Sequence, residues 1–486
     1  MKRNTLNWKK IKKYRGLMRC AVTGLTAVLL LMLAVSSTSA AVLTPLVTGP
    51  IPVAETPINP LHDYPQLASA PFYDLSRRGY VELEFFFQGT ATSYSTPAMA
   101  NGVVLSTGHP YKSRIIVRRP LDPSKFNGIV IVEWLNVTPG SGQDFHWMAS
   151  HDYVTREGYA YVTVHAQRVG IHATPYGLIA WSPVRYGTLD VTDGGTITDD
   201  SLCYDIFSQA GMAIHNPHGA GVDMLGGLRP KLVIAVGLSQ SASRLTLYYN
   251  SIQPLHKVYD GFVLHVGGGP FRTDVGTKLM RVNTEREIVG GQATLRQADS
   301  GVFRGWEIAG ASHVDFQEVI YRMPIAARDQ LAPPNVACDH QALSHVSNKY
   351  VLNAAYDHIV KWIKHNSPPP IAEPITVTSL SPLVIPRDAY GLVFGGIRLA
   401  EVDAPTATNT GANTGPGFCG LYGSHQGFDR ATLESLYPTH RSYVEKVREV
   451  THRNLRDGFV VEDDAEEIIR NAEVSLIGTD YPLPLP

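Results

Sequence analysis

The chain has 486 residues, 44% apolar and 17% charged, with a formal net charge of −1. That length admits one large domain with additions, or two to three domains, and enough apolar content for a sizeable core. The balanced charge, with no extended run of Lys and Arg after residue 19, argues against nucleic acid and anionic membrane surfaces as partners.

Eight basic residues (Lys2, Arg3, Lys9, Lys10, Lys12, Lys13, Arg15, Arg19) precede an apolar run over 21–35, and small residues follow to Ala41. A basic segment, an apolar segment and an A-x-A-like site predict a secretory signal over 1–41. The run is short for a bilayer span, so no stable membrane span is expected after cleavage. The mature chain, with a net charge of −9, is expected to be secreted or periplasmic.

Thr44 to Pro71 is Pro-rich and reads as irregular. Strands are predicted at 81–87, 115–117, 128–132, 159–164, 232–236, 262–266, 279–282 and 303–308 from alternating or continuous apolar runs. Helices are predicted at 147–156, 204–214 and 240–250. A last helix over 349–365 carries an apolar stripe and is stopped by Pro368-Pro369-Pro370. Strands alternating with helices predict a mostly parallel sheet covered on both faces. The domain division is a core over 42–370, with an insertion at about 166–228 that would form a lid or pocket wall, and an extension over 371–486. The extension reads as loops followed by helices at 430–437, 441–456 and 463–474. Asp463, Asp464, Glu466 and Glu467 open the last of these, where acids suit the helix dipole, and read as a solvated face.

Gly237-Leu238-Ser239-Gln240-Ser241 sits between an apolar strand and a helix. G-x-S-x-small in that setting is the pattern of a nucleophile elbow, whose strained turn tolerates only small neighbours. A serine hydroxyl needs a base, and the base needs an orienting acid. His313 follows the last strand in a loop and is the candidate base. His265 reads as a core residue with a satisfied hydrogen bond. The acid is expected in Asn283-Thr284-Glu285-Arg286-Glu287. Glu285, nearer the strand end, is favoured, with Glu287 as the alternative and Asp299 and Asp315 further off. The oxyanion donors are expected to be the backbone N–H of Gln240 and one near Leu135 or Asn136. No metal-ligand spacing is present in the sequence, and no cofactor is expected. Three cysteines follow residue 41, so at most one intrachain pair can form.

Val132-Glu-Trp-Leu-Asn-Val137, Ala166-Gln-Arg-Val-Gly170, Tyr204-Asp-Ile-Phe-Ser-Gln209, Ser239-Gln-Ser-Ala-Ser-Arg-Leu245 and Ala309-Gly-Ala-Ser-His313 resemble the bacterial "alpha/beta hydrolase domain" family of large, often exported esterase candidates. The resemblance includes Gly395-Gly-Ile-Arg-Leu-Ala400 and Phe418-Cys-Gly-Leu-Tyr422 and implies an α/β-hydrolase fold. It also implies that 371–486 is integral to that fold, and that Cys338 and Cys419 pair across the 370 boundary. The usual HGG oxyanion signature of esterases is absent. The expected activity is cleavage of a small-molecule or polymeric carboxylic ester through Ser239, His313 and Glu285. A lactonase, a polyester hydrolase or a non-catalytic binding protein on the same fold are the other readings.

Overall fold

The computed structural model describes residues 41–53, 64–341 and 343–479. The predicted signal, residues 1–40 above all, lies outside the described residues. Everything below concerns the compact unit from Val42 onward.

Nine strands form one sheet in the order β1-β2-β3-β5-β4-β6-β7-β8-β9. They are β1 (Leu46–Thr48), β2 (Tyr80–Tyr94), β3 (Val104–Pro120), β4 (Ile129–Trp134), β5 (Ala160–Val164), β6 (Leu232–Leu238), β7 (Gly261–His265), β8 (Lys278–Thr284) and β9 (Phe303–Ile308). β1 to β3 are antiparallel, and β3 also joins β5 antiparallel. From β5 through β9 every neighbour is parallel. The central strands β4, β5, β6 and β7 are buried at every position. Their continuous Val, Ile and Leu content follows from having both faces covered.

The longer helices are α1 (Phe145–Arg156), α2 (Cys203–His215), α3 (Gln240–Leu247), α4 (Phe316–Arg328), α5 (Asn348–His365), α6 (His440–Asp457) and α7 (Glu462–Glu473). The helix predicted over 240–250 ends earlier as α-helix and continues as a π-turn, Tyr248–Ile252. α4 is not among the helices expected from sequence, and it carries Pro324 in its interior. A capping box compensates: Asp315 accepts the N–H of Gln317 and Glu318, and Glu318 accepts that of Asp315.

β2 and β3 run well beyond their predicted cores and pair over most of their lengths. Two arginines on β3 point inward and are wholly buried. Arg114 meets Glu84, and Arg118 meets Asp144 at 2.7 Å and Glu82 at 2.6 Å. Each also donates to a backbone carbonyl of 66–67. Buried guanidinium groups are tolerated when paired and hydrogen-bonded in this way.

Residues 371–479 are built into the sheet's flank. Ile397 bridges to Ile308 at the end of β9. Ile375 donates its N–H to Glu307, and Trp306 donates its indole N–H to the Pro370 carbonyl. The acids opening α7 are not all solvated. Asp464 is buried and accepts from Asn353 on α5 at 2.6 Å, while Glu467 pairs with Lys349 at 2.6 Å. They fix α7 to α5.

Cys338 and Cys419 form a disulfide, and Cys203 is a buried free thiol. The bond joins residues 81 apart in sequence. Closing a loop of that size restricts the unfolded chain by about 4.5 kcal/mol in the chain-entropy model. The Cys338→Ser/Cys419→Ser double variant is expected to lose about 2–5 kcal/mol of unfolding free energy in a urea titration. An unchanged midpoint and slope would show that the bond carries no such load.

Candidate active site

The chain reaches Ser239 at the carboxyl end of β6, the edge at which open parallel sheets carry their sites. Ser239 has φ 59° and ψ −110°, a conformation that L-residues avoid. A turn held this way costs of order 1–3 kcal/mol and persists only where its surroundings enforce it. Ser241 Oγ donates to the Leu238 carbonyl and accepts the Leu238 N–H, both at 2.9 Å. Ser239 N donates to the His265 carbonyl at 2.9 Å. A Cβ on Gly237 would stand 2.9 Å from Leu245 Cδ1 and 3.1 Å from the Ser241 carbonyl carbon. A Cβ on Gly267 would stand 3.3 Å from Ser239 O. The small residues of the motif therefore have a visible steric cause.

His313 lies in the loop after β9 and is largely buried. Its Nδ1 meets Glu287 Oε1 at 2.6 Å. The other oxygen of Glu287 accepts the Thr284 N–H at 3.2 Å and the Thr284 hydroxyl. Burial alone would raise the Glu287 carboxyl. The facing His313 and the hydrogen bonds from His313 and Thr284 outweigh it, and the group sits below its ordinary value.

Glu285, the residue favoured from sequence, does not meet His313. One of its oxygens pairs with Arg387 at 2.6 Å, and the other accepts the Gly310 N–H at 2.9 Å. Burial raises its carboxyl above the ordinary value against the pull of Arg387. The cause of the difference is local. Residues 285–289 form a helical turn. Positions two apart on a helix point about 200° from each other, whereas on a continuing strand they would share a face. Glu287 therefore turns toward His313, and Glu285 toward the extension. His265 is buried as expected, but neither ring nitrogen has a hydrogen-bond partner.

Of the expected oxyanion donors, Gln240 opens α3, where its N–H has no intrahelical acceptor. The other two are occupied. Leu135 N donates to the Val164 carbonyl at 3.4 Å, and Asn136 N donates to the Gln143 carbonyl at 3.0 Å. The Asn136 side chain braces the elbow by donating to the Leu238 carbonyl at 2.9 Å. The next N–H in this loop, on Val137, donates at 3.3 Å to the side-chain oxygen of Gln240, an acceptor that side-chain rotation can withdraw, unlike the backbone carbonyls that hold Leu135 and Asn136. That side chain is held on its other side by Gln167, which also receives the Trp134 indole N–H.

Ser239 and His313 line one cleft. Its floor includes Asn136, Thr138, Pro139 and Phe145. One wall is Val314, Glu318, Val319 and Arg322, from α4 and the loop before it; the other is Phe418, Leu421 and Tyr422 of the extension. The insertion over 166–228 contributes no lining residue. It braces the site from behind through Gln167. Among the described residues there is no group of three or more His, Cys, Asp or Glu side chains placed to hold a metal ion.

Comparison with known proteins places this geometry in context. No curated protein matches the chain. Solved structures with similar folds include the dienelactone hydrolase of Anabaena variabilis (15% identity, 50% of this chain and 94% of that one, TM-score 0.26). They also include a cold-adapted esterase from an Arctic intertidal metagenomic library (11% identity, 42% and 72%, TM-score 0.24). A candidate acetyl xylan esterase of Bacteroides fragilis matches over 43% of this chain and 61% of its own length, at 11% identity and TM-score 0.25. The model of the family described as "Alpha/beta hydrolase domain" matches residues 47–470. With that match and the sheet order above, the chain belongs to the alpha/beta hydrolase domain family and has the α/β-hydrolase fold.

Proposed function

We propose that the protein is an exported serine hydrolase that cleaves carboxylic esters with Ser239, His313 and Glu287. The observation that carries this reading is the 2.6 Å bond between His313 Nδ1 and Glu287, made by a histidine that shares a cleft with an elbow serine. Glu287 holds a proton on Nδ1, which leaves Nε2 as the basic nitrogen. Ser239 Oγ attacks the acyl carbon while Nε2 takes its proton. The N–H groups of Gln240 and Val137 receive the developing oxyanion, each such donor contributing about 3 kcal/mol. His313 returns the proton to the departing alkoxide. Water then attacks the acyl-enzyme with His313 again as base, releasing the acid. Export is supported by the disulfide, which persists in oxidising compartments. No helix among the described residues is long and apolar enough to cross a membrane.

A fluorophosphonate probe is expected to label the wild type and not Ser239→Ala; equal labelling of both would reject the nucleophile. Glu287→Gln is expected to lower kcat on a 4-nitrophenyl ester by about 10²–10⁴-fold, as loss of an orienting acid does. Glu285→Gln should instead lose about 1–3 kcal/mol of stability, because Arg387 and the Gly310 N–H lose a charged acceptor. The reverse ranking would exchange the two roles.

Glu287 also predicts a pH dependence. Its carboxyl binds a proton less readily folded than unfolded. Its contribution to stability is complete above the unfolded value of about 4.3 and is lost as pH falls through the lower native value. The stability difference, wild type minus Glu287→Gln, should therefore be level from neutrality to about pH 5 and decline below about pH 4. A difference that grows on acidification would contradict this.

A further inference from the structure

One charged side chain in the cleft has no use in the acyl-transfer chemistry. Arg322 lies on α4 and lines the same cleft as Ser239 and His313. Its Nε is buried without a hydrogen-bond partner. Among the described residues no carboxylate forms an ion pair with it. That sets it apart from Arg114, Arg118, Arg185, Arg296 and Arg387, each of which meets a glutamate. Burial pulls the Arg322 guanidinium down, and only Tyr422 opposes that.

The acid in the lining, Glu318, forms no ion pair with it. Glu318, one turn earlier on α4, gives one oxygen to the Asp315 N–H. Burial and then Asp315 push its carboxyl well above the ordinary range. The surrounding walls are apolar: Phe145, Val314, Val319, Phe418 and Leu421. An unpaired cation in such a place is costly unless an anion joins it. Tyr422 lines the same wall and carries a phenol beside it.

We propose that Arg322, with the Tyr422 hydroxyl, binds an ionised carboxylate on the substrate, so that the preferred ester carries a free carboxylate at the end of an apolar spacer. Guanidinium suits this partner because its planar donors match the two oxygens of a carboxylate. The inference rests on the ester-hydrolase reading and names the substrate class of that site.

The test compares mono-4-nitrophenyl glutarate, a monoanion, with its neutral methyl ester on the full exported protein. The wild type should favour the anion in kcat/KM by about tenfold or more, a factor that corresponds to ~1.4 kcal/mol. Added salt should reduce that preference. Arg322→Gln should bring the ratio to near one, and Arg322→Lys should keep part of it. A structural defect would instead lower both rates and keep the ratio. A wild-type ratio of one or less, or a ratio retained in Arg322→Gln, overturns the proposal. Calorimetric titration of free glutarate into Ser239→Ala adds a readout without turnover: binding is expected, and no binding overturns the carboxylate site. Failure of the hydrolase reading shows separately, as absence of fluorophosphonate labelling at Ser239.

Discussion

The backbone of Ser239 is the constraint from which the site is built. A residue at φ 59° holds its place only if the strand before it, the helix after it and the loop beside it leave no alternative. β6 provides a buried and fully paired strand. Ser241 bonds back across the turn, and Asn136 reaches over from the end of β4 to the Leu238 carbonyl. Gly237 and Gly267 leave the space that any side chain would fill. The same contacts that hold the serine also orient the β4 loop, so Ser239 and the candidate oxyanion donors are positioned by one set of interactions.

The two glutamates after β8 divide the remaining work. Glu287 faces inward to His313. Glu285 faces outward to Arg387, and through Gly310 it grips the loop that carries His313. The extension is therefore coupled to the histidine loop by a charge pair, as well as lining the cleft with Phe418, Leu421 and Tyr422. The family match likewise takes in the extension, running to residue 470.

Much of this was legible in the sequence where a local pattern has one physical meaning. Continuous apolar runs such as Leu232–Val236 read as central strands, and β9 was read to the residue. Ser239 and His313 stand out in the sequence because each follows an apolar strand, in the order the fold uses for a serine and its base. Misplacements arose where geometry decides between neighbours. Glu285 and Glu287 differ only in which way a short helical turn points them. Leu135 and Asn136 are suggested as donors by their place after β4, but their N–H groups go to Val164 on the neighbouring strand and to Gln143 across a local turn, pairings that the residue types do not announce. α4 is absent from the sequence reading, although Asp315 and Glu318 stand at capping-box spacing at its start. That omission removed a whole wall of the cleft from view, Arg322 included.

The disulfide has a bearing on how the cleft is held. Ser239, Glu287 and His313 all precede Cys338 in the chain, and the wall residues Phe418, Leu421 and Tyr422 flank Cys419. The covalent bond thus restrains that wall of the cleft, whereas Ser239, Glu287 and His313 are held by the sheet and the loops that leave it. On the proposed reading, reactivity and selectivity are anchored by different means: the first by backbone pairing that forms wherever the sheet folds, the second by a bond that depends on the redox state of its surroundings.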